Sequence, residues 1–432
     1  MSGAEKYRAL KGMRDVLPPE IDLWHRVEQT AAAVFETYGF REIRTPIAES
    51  TALFTRGIGE GTDIVEKEMY TFEDKGGRSI SLRPEGTASA VRCYIENQLH
   101  TLPSPQKYYY SGPMFRYERP QSGRFRQFYQ IGVEAFGSAS PVLDAELLSM
   151  LRQLLVRLGL PELNVQINSI GCEACRPTYK KVLLEFLEGS RDGFCPDCQR
   201  RYMSNPLRIL DCKVERCVGL RQGAPRITDH LCEDCRTHFT TLQTLLSKLE
   251  IPFVVNHEMV RGLDYYTRTA FEVTSGNLGA QNAVAAGGRY DRLVKECGGP
   301  DVPAVGFALG MERIAGLLKQ LSSAETGGPM VFIAAMGEYA LYEGLRIAEK
   351  LRSEGIWVET GDSAASLKSQ MRKADRLASE YVVILGEDEL TAGEFTWKRL
   401  KDGSDGRAPL AGIGPFFAER MVSSRKRVNV VE

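Results

Sequence analysis

Phe115-Arg116-Tyr117-Glu118-Arg119-Pro120-Gln121-Ser122-Gly123-Arg124-Phe125-Arg126-Gln127 is the stretch on which the fold turns. It sits at the tip of a run, 107–137, that reads as a long β-hairpin. On the return strand Phe128, Gln130, Gly132, Glu134 and Phe136 point one way. Tyr129, Ile131, Val133 and Ala135 point the other, because successive strand side chains alternate. The second set is a packing face. The first places Gln130 and Glu134 on either side of a glycine, as a small polar ligand would require. By the same alternation Arg116 and Glu118 share a face of the outgoing strand. Further along, Arg261-Gly262-Leu263-Asp264-Tyr265-Tyr266 again sets an arginine among tyrosines, an acid and a glycine. Arginine grips phosphate in a fixed fork and stays charged at any relevant pH. With no Walker-type glycine loop nearby, the two stretches point to a site that handles a nucleotide by charge. The competing reading is a charged hairpin tip in water.

Outward from the hairpin the chain is ordinary in composition, with 432 residues, 43% apolar and 26% charged. That length exceeds what one hydrophobic core usually supports, so two or three domains are expected. No apolar run approaches the ~18 residues needed to span a bilayer, and Met1 to Asp15 lacks the apolar centre of a signal peptide. A soluble cytoplasmic protein without membrane contact is the expectation. A formal net charge of −1 gives no global pull on nucleic acid. RNA contact would need local patches. The candidates are Arg119 to Arg126, Arg200-Arg201 and Arg420 to Arg427, each of which alone reads first as a solvated face.

Eight of the ten cysteines fall in four pairs, Cys172/Cys175, Cys195/Cys198, Cys212/Cys217 and Cys232/Cys235. Three pairs have the two-residue spacing that lets both thiolates reach one zinc ion. Reduced thiols in a cysteine-rich module are the alternative, and nothing in the spacing decides which pairs would join. Zinc here would brace a module, since four thiolates leave no open coordination position. Cys93 and Cys297 stand alone in apolar-periodic segments and read as packing. Disulfides are not expected without a secretory signal.

Residues 20–38 carry helical apolar periodicity, and Phe40 to Ile47 reads as a strand that Pro46 confines to an edge or bulge. Ser79 to Leu82 is a short strand, Arg83 to Thr87 a turn and Ala88 to Leu99 a helix. Residues 1–170 form the first part of a core and 171–250 a cysteine-rich helical insertion. The core resumes over 251–320. There, Ala285 to Asp291 reads as a strand entering a helix through paired glycines, and Val305 to Arg313 as a glycine-spaced strand opening a helix. Gly306 and Gly310 remove side chains from one surface, so that a flat base can lie close. Residues 321–329 are a linker by composition. Beyond it, strands at Met330–Ala335, Ile356–Glu359 and Tyr381–Leu385 alternate with helices at Tyr339–Gly355 and Ser366–Ser379. That alternation predicts a small α/β domain over 330–432 with a mainly parallel sheet.

These residues resemble the histidyl-tRNA synthetase family of class II aminoacyl-tRNA synthetases from end to end. Phe115 to Glu118 with its loop and return strand is similar to the second class signature, Gly306 to Arg313 to the third, and Gly39 to Pro46 to the first. Arg261 to Tyr266 and Ala286 to Asp291 are similar to the family's own signatures, and Gly12-Met13-Arg14-Asp15-Val16-Leu17-Pro18 fits its N-terminal pattern. The resemblance implies an α+β fold with an antiparallel sheet core flanked by helices, a homodimer, and an anticodon-binding domain over 330–432. It also implies a ligase that converts L-histidine and ATP, with Mg²⁺, to histidyl-adenylate and pyrophosphate, then passes histidine to the 3′ end of tRNA(His).

Roles follow position by position from the same resemblance. Glu85, Thr87 and Gln130 would take the substrate α-amino group, Glu134 and Tyr266 the two imidazole nitrogens, and Tyr265 would line the pocket. Arg116 would grip the α-phosphate. Glu118, Arg124 and Arg313 would contact adenine or the outer phosphates. Arg261 would act catalytically and touch histidine, at a place filled by a metal ion in sister enzymes. Arg119 and Gln121 would meet the tRNA acceptor end. Two rival readings are weighed against this. A non-catalytic regulatory relative from histidine biosynthesis usually lacks the C-terminal domain and the intact 261–266 signature. A zinc-braced RNA-binding protein would make the arginine and glycine signatures accidental.

Overall fold

In the computed structural model the described residues are 7–59, 61–120, 123–160, 163–276, 283–321, 328–362 and 365–428, with side chains described to 421. They form two compact units, Met1–Ser323 and Ala324–Glu432.

The first unit opens with a helix over Glu20–Thr37. Its first turn carries Glu20 and Asp22, which suit the positive helix end. Its Trp24, Val27, Ala31, Val34 and Phe35 recur at the spacing of one helical face and are all buried. The strands β1 (Arg41–Glu42) and β2 (Ala48–Ser50) follow, with Pro46 in neither. β2 joins β3 (Tyr70–Glu73) and β4 (Ser79–Leu82) in a small antiparallel sheet. The long hairpin is β5 (Gln106–Phe115) and β6 (Gln127–Phe136), paired from Gln106↔Phe136 to Phe115↔Gln127. After it come a helix over Pro141–Arg157, β7 (Leu163–Ser169), β8 (Phe253–Val255), β9 (Thr267–Ser275), β10 (Ala283–Arg289) and β11 (Ala304–Gly310). The eight-stranded sheet has the order β1-β5-β6-β11-β10-β9-β7-β8. Its interior is antiparallel, and only the two edge pairs, β1 with β5 and β7 with β8, run parallel.

One face of this sheet is the packing face. Ile131, Val133, Ala135, Val165, Ile167, Phe271, Val273, Val305 and Leu309 meet Phe35, Leu147, Leu151 and Leu154, along with Ile314 and Leu318 of a helix over Met311–Leu321. Alternation then leaves Gln130, Gly306, Ala308 and Gly310 toward the opposite face. Between β7 and β8 lie helices at Arg176–Leu187, Pro196–Ser204, Glu215–Leu220 and Glu233–Lys248. The last of these buries Phe239, Leu242 and Leu246 in the main core, so it ties the inserted segment back to the sheet.

Two local expectations are corrected. Gly287 and Gly288 do not form the strand-to-helix turn. Both lie inside β10, paired with Phe307 and Gly306, and the short helix starts later, at Leu293. Gly306 is bare for a protein neighbour rather than for a base, since a Cβ there would stand 2.0 Å from Glu134 Oε2.

The second unit holds β12 (Val331–Ala335), β13 (Val358–Thr360), β14 (Tyr381–Leu385), β15 (Glu394–Arg399) and β16 (Asp405–Pro409), in the order β13-β12-β14-β15-β16. β12 runs parallel to β13 and β14, whereas β15 and β16 add an antiparallel edge. The sheet is therefore mixed.

Candidate active site

The polar face of β6 and β11 floors a cavity of about 250 Å³. Its lining includes Arg116, Glu118 and Arg124 from the hairpin, Arg261, Tyr265 and Tyr266 from the second arginine stretch, and Arg313 from the helix after β11. Guanidinium groups from separate parts of the chain therefore face one space. Glu85, Thr87 and Gln130 line it as well.

The floor is built around Glu134. Its carboxylate does not line the cavity. It lies a layer below, 1% exposed, and accepts hydrogen bonds from Thr87 Oγ1 (2.7 Å), Tyr110 OH (3.1 Å) and Tyr290 OH. The Tyr110 ring is set by absent side chains, since a Cβ at Gly86 or Gly132 would fall within 2.3 Å of it. Burial pushes the Glu134 carboxyl up to about 8, and the three hydroxyl donors only partly offset that cost. Burial therefore favours the protonated carboxyl beneath this floor.

In the buried part of the lining, Glu85 accepts the N–H groups of Thr87 (2.6 Å) and Ala88 (2.9 Å) at the start of a helix over Thr87–Glu96. A carboxylate suits that end of a helix, although burial still raises its pKa above the ordinary value. Gln130 Oε1 is buried without a hydrogen-bond donor. An unpaired buried acceptor is costly, so this oxygen is ready to take an N–H from a ligand.

The cations are held from behind. Arg116 Nε donates to the Pro84 carbonyl at 2.9 Å, and its guanidinium lies 5.3 Å from the Phe128 ring centre. Arg261 Nη1 donates to Glu272 Oε2 at 2.8 Å, while its Nε is buried without an acceptor. Arg313 Nη1 donates to the Ala283 carbonyl at 2.7 Å, and Arg124 Nη1 to Glu118 Oε2 at 3.0 Å. Glu312 also lines the cavity. Its carboxylate accepts the Tyr129 N–H at 3.0 Å, and burial pushes it up to about 7.

Several expected residues lie elsewhere. Arg119 is exposed and does not line the cavity, and Gln121 falls outside the described residues. Arg126 does not reach water as a free tip cation. It stacks 3.7 Å from the Tyr117 ring centre, and its backbone N–H binds the Gly12 carbonyl. Arg200 and Arg201 face their own carboxylates, at Asp197 and Asp63. Arg289, inside the 286–291 signature, is fully buried and paired with Asp144 and Asp291, so it builds the sheet rather than the cavity.

Sequence reading assigned no role to Tyr110, Tyr290, Glu272 or Glu312. Tyr290 was inside a quoted signature and Glu312 beside Arg313. Tyr110 and Glu272 sit in strands whose composition gives no sign of a site.

The eight paired cysteines gather into two quartets, Cys172/Cys175/Cys232/Cys235 and Cys195/Cys198/Cys212/Cys217. Within each, the sulfurs lie within 4.8 Å of one another.

Known proteins resemble this chain over most of its length. A family model described as "Histidyl-tRNA synthetase" matches residues 12–172 and 214–314, and one described as "Anticodon binding domain" matches 330–420. A histidine–tRNA ligase of Trichlorobacter lovleyi is 56% identical over 395 residues, 91% of this chain and 94% of that one. Another, from Thermodesulfovibrio yellowstonii, is 53% identical over 94% of this chain and 96% of its own. The solved structure of apo S. aureus histidyl-tRNA synthetase superposes with a TM-score of 0.81 at 36% identity, covering 95% of this chain and all of that one.

Proposed function

The chain belongs to the histidyl-tRNA synthetase family, and from that premise we infer that its cavity joins histidine to ATP. The protein is a histidine–tRNA ligase. It activates histidine and charges tRNA. In this reading ATP enters with Mg²⁺, and tRNA(His) is the acceptor. Family membership carries the further expectation of a cytoplasmic homodimer. Among the described residues no helix is long and apolar enough to cross a membrane.

The observation that carries the reading is the convergence of Arg116 and Arg261 on one cavity whose lining includes Gln130, with its unpaired Oε1, and Glu85. Glu85, Thr87 and Gln130 receive the α-ammonium group of histidine. Tyr266 takes one imidazole nitrogen, and the other reaches down to the Glu134 carboxyl beneath the floor, with Tyr265 against the ring. Binding there requires the Glu134 proton to be shed or shared, and the imidazole is a base of suitable strength to share it. Arg116 holds the α-phosphate, while Glu118, Arg124 and Arg313 hold adenine and the outer phosphates. The histidine carboxylate attacks the α-phosphorus in line, the bond to the bridging oxygen breaks, and pyrophosphate leaves. Arg261 and Arg116 neutralise charge growing on the phosphoryl oxygens. An arginine in such a place is worth on the order of 10³–10⁵ in rate. The terminal ribose hydroxyl of tRNA then attacks the carbonyl of the anhydride, and AMP departs. No protein nucleophile enters either step. Arg119 and Gln121 are assigned to the arriving acceptor end.

Selectivity follows from burial. An amino acid without the imidazole nitrogens would forgo the hydrogen bonds to Glu134 and Tyr266, and sites of this kind reject such analogues by roughly 10⁴–10⁵. Exchange of labelled pyrophosphate into ATP tests the reading. It should depend on L-histidine, and exchange with every amino acid, or with none, would overturn it.

A further inference from the structure

The cysteine quartets carry information beyond the reaction. Four pairs can be grouped two by two in three ways, and the fold selects one. The outer pairs join (172/175 with 232/235), and the inner pairs join inside them (195/198 with 212/217). The sulfurs are too far apart for disulfides, whose bond is ~2.05 Å, and all ten cysteines are free. The closest separations are 3.7 Å for Cys172–Cys175, 3.8 Å for Cys172–Cys232 and 3.9 Å for Cys195–Cys212. A zinc ion ~2.3 Å from four sulfurs at tetrahedral angles sets them roughly 3.8 Å apart. The spacing is that of a mononuclear site.

The surroundings match. In each quartet a backbone N–H from one pair donates to a sulfur of the other, Cys232 N–H to Cys175 Sγ at 3.1 Å and Cys195 N–H to Cys217 Sγ at 3.2 Å. Such donors orient and support thiolate ligands. Cys175, Cys198, Cys212, Cys217 and Cys235 are buried. An all-sulfur tetrahedral set selects zinc over the harder divalent ions.

Each quartet also lies close in sequence to a side chain that grips the 261–266 segment. Arg176, next to Cys175, donates to the Tyr266 carbonyl. Between Cys198 and Cys212, Asn205 donates to Asp264 Oδ1 at 2.8 Å and Arg208 to the Arg261 carbonyl at 3.2 Å. We propose that this chain binds two structural zinc ions, one in each nested quartet, and that together they fix the insert against the backbone carrying Arg261, Tyr265 and Tyr266. The ions take no part in the chemistry, because four thiolates complete the coordination of each.

The test uses the full-length chain, purified without added metal or chelator. Elemental analysis should give two zinc ions per chain. One zinc, none, or iron in its place would overturn the assignment. The pairs Cys172→Ser/Cys232→Ser and Cys195→Ser/Cys212→Ser should each retain one zinc; loss of both ions from either would refute the grouping, and retention of two would refute these cysteines as ligands. Should these variants fail to fold, titrating the native chain with a mercurial in the presence of a zinc-sensitive dye reads the same thing. Two zinc ions should be released as eight thiols react, and thiol loss without zinc release would count against both sites. The anchoring claim has its own readout. Hydrogen exchange of the 261–266 amides should quicken by roughly tenfold or more once zinc is stripped, and unchanged exchange there would remove that part of the proposal.

Discussion

Arg261 lines the cavity with Nη1 bound to Glu272 and Nε buried without an acceptor, so part of its fork is left for a ligand. Arg261→Ala should lower the single-turnover rate of adenylate formation by about 10³-fold or more. Its thermal midpoint should stay within a few degrees, because both partners of the ion pair keep partial contact with water. Retained activity would take Arg261 out of the chemistry. Glu134 makes a prediction of opposite kind. Its carboxyl is raised to about 8 in the folded chain from 4.5 in the open one, so the fold holds a proton that the unfolded chain has lost. A raised carboxyl stabilises most below the unfolded value, and that contribution fades as pH climbs from about 4.5 through about 8. Glu312, raised to about 7, acts in the same direction over a narrower window. The variant Glu134→Gln keeps a neutral polar group at every pH. Urea unfolding of the empty protein should therefore show wild type gaining relative to Glu134→Gln at pH 5 and losing relative to it at pH 9. A gap independent of pH would mean that Glu134 is already ionised. The same variant should weaken histidine binding, since an amide has no acidic proton to share with the ring nitrogen.

Within the central sheet, the pairing of Gly306 with Glu134 and of Gly310 with Gln130 places two glycines over very different neighbours. A Cβ at 306 would meet Glu134 Oε2 at 2.0 Å and the Val133 carbonyl at 2.4 Å, whereas at 310 nothing lies nearer than Arg313 Cδ at 3.9 Å. Gly306→Ala should therefore cost roughly 1–3 kcal/mol or more of stability. Gly310→Ala should leave the unfolding midpoint almost unchanged and act, if anywhere, on the KM for ATP. Equal midpoints for the two variants would contradict the register. This contrast also marks what the sequence discloses. Alternation along 128–136 exposed Gln130 and Glu134, because a strand of period two shows its polar face in one line of text. The three hydroxyls on Glu134 come from a helix, another strand and the residue that follows β10, and no single segment displays them. Gly287 and Gly288 suggested a turn because the reason for them, the Gly306 carbonyl 2.2 Å from a Cβ at 287, lies on the neighbouring strand. β15 escaped notice because only Phe395 of its six residues is fully buried, which leaves no apolar pattern to read. Cysteine spacing announced pairs, but which pairs meet is a property of the folded insert.

Across the whole chain, the two units divide both the apolar cores and the labour. The clusters around the large sheet contain no residue beyond Leu318, and those of the second unit begin at Met330. Among the described residues, all those lining the cavity belong to the first unit. The net charge of −1 adds no long-range attraction for RNA, so affinity for tRNA has to be assembled from local contacts on more than one surface. The segment matching an anticodon-binding model, 330–420, is the candidate for one such surface. A chain ending at residue 329 loses no side chain from the first unit's cores and none from the cavity. It should fold, and it should exchange pyrophosphate into ATP with histidine at close to the full rate. Charging of tRNA(His) should fall at least tenfold at limiting tRNA, which corresponds to the loss of only ~1.4 kcal/mol of contact. The KM for tRNA should carry most of that change, and the KM for histidine none. If truncation abolishes exchange and charging together, the second unit is needed for the cavity itself. If charging survives intact, tRNA is held by the first unit alone.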